Sequence, residues 1–286
     1  MGKELVSGLG LAFFVTVGGT CPRPAAGQVY LGVDATFSSP YVWRGVTRAN
    51  GWMGQPGAFL AVGLGGAYVS AGAWANYELR AARVADFTVL GSGRSGLGEA
   101  DYWAQVKWPM GGLQTWLGGI RYTFRGRSPG LPSDRSTTEL YGGLQATSKY
   151  VVPALAVWVD VDHVRGVYVE SSATIPLLAN PLVQPFVAVF TRVAVGYSVG
   201  QEVNNAVPTQ GAYFAESGVT HVDFSAASDI HVSAVPLPTI IHIEGHLQAS
   251  VDDRTRPTSA SPNDARRSLK VWLTTSVQIA GPLLRW

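Results

Sequence analysis

Three stretches in the last third of the chain alternate apolar and polar residues over ten or more positions, a pattern that leaves little choice but long strands with unlike faces. In residues 241–252, Ile241, Ile243, Gly245, Leu247, Ala249 and Val251 alternate with His242, Glu244, His246, Gln248, Ser250 and Asp252. In residues 269–279, Leu269, Val271, Leu273, Val277 and Ile279 alternate with Lys270, Trp272, Thr274, Ser276 and Gln278. In residues 221–233, Val222, Phe224, Ala226, Ile230 and Val232 alternate with His221, Asp223, Ser225, Asp229, His231 and Ser233. Ordinary globular strands run to about 5–6 residues, whereas a tilted strand crossing a bilayer needs about 9–11.

The same template gives about twelve strands, near residues 29–37, 55–64, 67–78, 100–108, 113–124, 136–147, 154–162, 165–175, 183–197, 216–233, 239–251 and 268–280. The connections between them sort by parity. Those at 38–54, 79–99, 125–135, 198–215 and 252–267 are long, with 162–164 the exception. Those at 65–66, 109–112, 148–153, 176–182 and 235–238 are mostly tight. Long loops at one end and short turns at the other are the pattern of outer-membrane barrels, the short side being periplasmic.

Composition agrees. Charged residues are 14% of the chain, below the roughly 25% of soluble domains. The 34 glycines suit crowded strand walls. A net charge of +2 without a basic run gives no reason to expect nucleic acid.

The N-terminus reads as an export signal: Lys3, an apolar core at 9–17, and small residues Ala25, Ala26 and Gly27 before a cut ahead of Gln28. The lone cysteine, Cys21, falls within it, so the mature chain is expected to hold neither a disulfide nor a cysteine-based zinc site. After Gln28 no apolar run reaches the length of a spanning helix, so a mature membrane protein of this sequence spans as strands. The expected organisation is a cleaved signal at 1–27 and a barrel at 28–286. The expected fold is all-β, a closed antiparallel transmembrane β-barrel of about twelve strands. Ten and fourteen are the neighbouring even counts, and both termini are placed in the periplasm. Trp103, Trp108, Trp116, Tyr122, Phe124 and Tyr197 lie near strand ends and are assigned to interfacial girdles. Trp158 and Trp272 fall on inward positions.

Residues 34–47 read DATFSSPYVWRGVT, with Tyr41, Trp43, Arg44 and Gly45 at the centre. This resembles the start of the TorF-like porin family of bacterial outer-membrane barrels, departing from it in Ser39-Pro40 before the tyrosine. The resemblance implies a barrel and a porin label, and brings no substrate or catalytic residue. Arg44 beside Trp43 is expected to pack the first loop against the barrel mouth. The last strand, ending in Trp286, resembles the signal read by the barrel-assembly machinery. Gly281-Pro282 interrupts its alternation, which a bulge near Gly281 would restore.

If the apolar faces meet lipid, the lumen is lined by Asp34, Asp101, Gln105, Lys107, Arg121, Glu139, Asp160, Glu170, Arg192, His221, Asp223, Asp229, His231, His242, Glu244, His246 and Lys270. A barrel of this size leaves either a narrow polar passage or a polar plug. Four of the five histidines lie on two adjacent strands, and folding that hairpin about Pro236 brings His231 near His242, with Asp229 and Glu244 alongside. Such a wall suits a hydrogen-bonded lattice, a pH-titrating lattice, or a weak metal site at His231 and His242. No cofactor is expected. An outer-membrane hydrolase needs a hydroxyl, a base and an orienting group; His231-Val-Ser233 is the one local spacing of that type and lacks a third member, so an enzyme is not expected. The first functional reading is a passive channel for an unidentified small solute, with outer-membrane lipid around it. The alternative is a closed structural or adhesin-like barrel acting through its loops.

Overall fold

The computed structural model describes residues 27–49, 51–79, 96–124, 136–178, 187–202, 213–232, 237–255 and 268–285. The export signal, Cys21, Ser233 and Trp286 lie outside the described residues. The strands are β1 (Gln28–Ser39), β2 (Tyr41–Trp43), β3 (Val46–Ala49), β4 (Met53–Leu64), β5 (Ala67–Glu78), β6 (Gly96–Met110), β7 (Leu113–Phe124), β8 (Thr137–Ala146), β9 (Val152–Asp160), β10 (Gly166–Leu178), β11 (Val187–Val199), β12 (Gly218–Val232), β13 (Thr239–Ser250) and β14 (Leu269–Arg285). A single 3-10 turn, Asp253–Thr255, is the only helical element among them.

Strand β1 pairs with β4 on one side and β14 on the other, and β4 to β14 follow in chain order, so twelve antiparallel strands close a barrel. Closure leaves no edge, so the wall's backbone donors and acceptors are satisfied within the sheet. Strands β2 and β3 form a separate two-stranded sheet. This hairpin, inside the connection from β1 to β4, is the element that the alternation does not anticipate.

Hydropathy is inverted relative to a soluble protein. Along β11 to β14, Val193, Phe224, Leu247 and Val271 face one another in register, and all four are exposed. The opposite faces bury Asp223, Glu244, Gln248 and Lys270. An apolar outer belt over a polar interior places lipid outside and polar groups inside. Chain ends of the barrel share one rim, with Gln28 opposite Arg285. That rim also carries the tight turns at 65–66 and 111–112.

Strand β14 continues through Gly281 and Pro282 to Arg285. Its ladder with β1 slips there: Val29 faces Leu284 while Tyr30 faces Pro282, so Leu283 is the bulged residue. The bulge absorbs the parity break and takes the imino nitrogen of Pro282 without ending the strand.

Two expectations about facing are corrected. Arg121 does not line the lumen. It is exposed on the outer side near the long-loop rim, where it donates to Asp162, at 2.5 Å, and to Thr138 and Ser136. Trp103, Trp116 and Tyr122 are not girdle residues but are buried in the interior cluster. The cause is common to both. On β7 the face carrying Trp116, Ile120 and Tyr122 has aromatic loop residues to pack against inside the barrel, while Arg121 finds water and hydroxyls at the rim. Trp158 and Trp272 point inward and are buried.

Candidate functional site: a plugged lumen

The hairpin tip is Arg44-Gly45, with φ of 49° and 80°. Two successive positive φ values make the twisted two-residue turn that suits a tight hairpin. Glycine takes this conformation freely, but arginine does not, so contacts made by Arg44 must hold the turn.

Those contacts lie on the far wall. Arg44 Nη1 and Nη2 donate to the two carboxylate oxygens of Glu139 on β8, at 2.7 and 2.6 Å. The Tyr122 hydroxyl donates to the same carboxylate at 2.9 Å. The guanidinium carbon lies 4.3 Å from the ring centre of Trp43, 4.8 Å from Trp158 and 4.6 Å from Tyr168. Burial alone would lower the pKa of Arg44, but the adjoining carboxylate outweighs it and raises the pKa above its ordinary value. The guanidinium is therefore charged, forked onto its partner and walled by three rings, the geometry that favours arginine over lysine.

Opposite, the Gly45 carbonyl accepts from Gln248 Nε2 of β13 at 3.0 Å and from Lys270 Nζ of β14 at 2.8 Å. The hairpin thus bridges the lumen from β8 to β13 and β14. Arg48, four residues after Arg44, also lies over the Trp43 ring at 4.2 Å and near Phe124 and Tyr213 at 5.2 Å each. It shares a small pocket with Glu78 and Glu99.

Two more long loops close over the hairpin. Tyr213 meets Trp43 edge-on at 4.6 Å, and Phe214 stacks on Tyr168 at 5.9 Å. Asp252 accepts from the backbone N–H groups of Ala215 and Glu216, tying one loop to the next, and the Thr255 carbonyl accepts from Gln248 and Ser250. Asp160 organises a third loop, accepting from Thr137 Oγ1 and from the N–H groups of Asp162, Val164 and Arg165. The long-loop half of the barrel is consequently filled by an aromatic core threaded by two arginines.

Below the tip the interior is polar. A cavity of about 120 Å³ is bounded by Arg44, Gly45, Glu170, Arg192, His246 and Trp272, among others. Arg192 pairs with Glu170 across β10 and β11. Along β12 and β13 carboxylates and imidazoles alternate: Asp229, His242, Glu244, His246, Asp223. The gaps are 2.6, 3.3, 3.5 and 3.0 Å. His246 also lies flat on Trp272, centroids 4.3 Å apart. Buried oxygens of Asp223, Ser225, Gln248, Ser276 and Gln278 have no partner among the described residues.

Of the other expected lumen residues, Asp34 points at Gly57 across the β1–β4 ladder, and Asp101 is buried beside the acid pair near Arg48. Gln105 donates to Ser70 on the neighbouring strand, and Lys107 shares that inward parity. His221 is buried against the hairpin turn. His231 does not meet His242. The register sets His231 opposite Ile240 and Asp229 opposite His242, two positions short of a His231–His242 pair. Among the described residues no cluster of three or more His, Cys, Asp or Glu is arranged to hold a metal ion. Ser225 and Ser276 stand opposite His246 and His242, yet neither hydroxyl bonds to an imidazole.

Sequence reasoning missed Arg48, Glu78, Glu99 and the rings of Trp158, Tyr168, Tyr213 and Phe214 as parts of one assembly. The available signal was Arg48, a second arginine directly after the quoted segment.

No protein-family model and no curated protein matches the chain. Among solved structures it is similar to an active-site mutant of outer membrane phospholipase A from Escherichia coli, at 11% identity over 91% of this chain and 93% of that one, TM-score 0.40. It is similar to a bacterial polysaccharide outer membrane secretin at 8% identity, 91% and 100% coverage, TM-score 0.43. It is also similar to the translocator domain of the autotransporter NalP from Neisseria meningitidis at 11% identity, 91% and 90% coverage, TM-score 0.38. At these identities the likeness extends no further than the barrel.

Proposed function

We propose that this chain is an outer-membrane channel for small polar solutes, related to the TorF-like porins, whose first loop closes the lumen from within. It would be exported by its N-terminal signal, inserted by the barrel-assembly machinery and oriented with its short turns in the periplasm. No chemistry on a substrate is assigned to it.

The observation that carries this reading is a polar inner wall beside a plug that shares no ladder with it. A barrel meant only to be rigid is served best by apolar filling, since buried charges cost more in desolvation than they return. Here the inner face of β10 to β14 keeps an ion pair, an alternating acid–imidazole chain and unpartnered hydroxyls. Polar atoms of that kind call for water or a passing solute. The central blocking element makes no ladder with the wall. Such a plug can move without opening the sheet.

A second reading, a closed barrel acting through its outer loops, draws on the aromatic core that fills the upper half. Single-channel conductance separates the two. The chain from Gln28 onward would be compared with one in which residues 41–49 are replaced by a short Gly-Ser linker. Discrete steps that are rare in the first and sustained in the second support the plugged channel. Silence from a trimmed barrel that is folded and inserted favours the closed reading.

A further inference from the structure

The forked Arg44–Glu139 pair joins a loop to a receptor that the wall builds by itself. Glu139, Tyr122, Trp158 and Tyr168 come from four successive barrel strands, and Trp43 is the hairpin's own contribution, among the described residues, to the groups around the Arg44 guanidinium. The Tyr122 hydroxyl takes one lone pair of the carboxylate and leaves both oxygens facing a forked, flat cation. Two rings of the wall offer their faces to the same cation. Carboxylate fork and aromatic faces together recognise a guanidinium, and do so far better than a compact, strongly hydrated ammonium.

We propose that this wall site is a binding site for guanidinium-bearing solutes, and that Arg44 occupies it as a tethered mimic of such a ligand. The proposal rests on the hairpin being displaceable, as the plugged-channel reading holds. A solute carrying a guanidinium competes with Arg44 for Glu139, and the competition loosens the plug. Competition in the wild type is uphill: a short tether keeps Arg44 at an effective concentration on the order of millimolar or above. Free ligand therefore binds more tightly when Arg44 is removed.

The test is calorimetric titration of folded, detergent-solubilised Arg44→Ala chain with methylguanidinium chloride, against sodium chloride at equal ionic strength. Saturable binding is expected in Arg44→Ala, weaker by about tenfold or more in the wild type and in Arg44→Ala/Glu139→Gln. Methylammonium is expected to bind several-fold more weakly than methylguanidinium. Should Arg44→Ala fold poorly, the chain trimmed of residues 41–49 presents the same four wall residues and replaces it in the titration. Absence of saturable binding in the folded vacated barrel, or binding that persists unchanged without the Glu139 charge, overturns the site. Conductance is read separately. Binding in a barrel that never conducts refutes the channel and leaves the site, whereas conduction without binding refutes the site alone.

Discussion

Gly45 sets its α-carbon so close to the His221 imidazole that an added Cβ would lie 2.5 Å from Nδ1. Its φ of 80° also belongs to the region that residues with a Cβ enter at a cost of about 1–2 kcal/mol. The tip of the plug is therefore seated through a residue that tolerates no side chain.

Gly45→Ala is expected to unseat the tip while leaving the wall intact, because the hairpin shares no ladder with the barrel. In planar bilayers the variant should spend more time in conducting states than the wild type. Heat-modifiable gel mobility should be unchanged. A barrel that conducts no more often than wild type would mean that the seat at His221 does not hold the plug.

Glu139→Gln removes the charge opposite Arg44 and leaves the guanidinium buried without its partner. Breaking a buried pair from one side costs about 3–5 kcal/mol, but this hairpin can carry Arg44 out toward water. The expected result is a larger rise in open probability than in Gly45→Ala, with the urea midpoint of the barrel little changed. Because the pKa of Arg44 is raised, the charge that holds the plug is present below the ordinary arginine value and is not lost until the pH passes above it. Alkaline solutions up to about pH 10 should therefore not release the plug by discharging Arg44, since that limit lies well below even the ordinary arginine range. Conductance recorded from neutral pH to that limit checks it, with Glu139→Gln as the open reference.

Phe224 stands in the exposed row of Val193, Leu247 and Val271 near the middle of the belt. Phe224→Lys should destabilise the folded barrel by about 2–4 kcal/mol in lipid, the cost of a cation near the bilayer midplane. Equilibrium refolding in urea with lipid vesicles measures it. The rim-facing Arg121→Leu should cost much less, since Arg121 already lies outside the apolar belt with partners in water. Equal costs at the two positions would contradict the placement of the belt.

These tests also mark what sequence can reach. Period-two alternation located each of the twelve wall strands, because a strand between lipid and a polar lumen must write its two faces into alternate residues. Loop parity was legible for a similar reason. The plug was not. Arg44 meets Glu139 95 positions away, and Gly45 meets Gln248 and Lys270 203 and 225 positions away. No local pattern encodes such partners. The same plug misled the reading of β7, since aromatic residues at strand ends suit a girdle or a filled lumen equally until the loops are placed. The meeting of His231 with His242 failed on register, which depends on the turn and not on the alternation.

Glu244 stands between the imidazoles of His242 and His246, at 3.3 and 3.5 Å, and is the single carboxylate that both share. Removing its charge should affect the passage more than removing either terminal acid. Asp229 and Asp223 each serve one imidazole, so their loss leaves the other half of the chain paired. In an unplugged background, Glu244→Gln is expected to shift the reversal potential in a salt gradient toward anion preference, because Arg192 and His246 then face the cavity with one carboxylate fewer. Asp229→Asn, close to the short-turn rim, should shift it less. The conservative replacement keeps the amide within hydrogen-bond reach, so a change in selectivity without a change in step size would assign the effect to charge. An unchanged reversal potential would mean that permeating ions do not pass this wall.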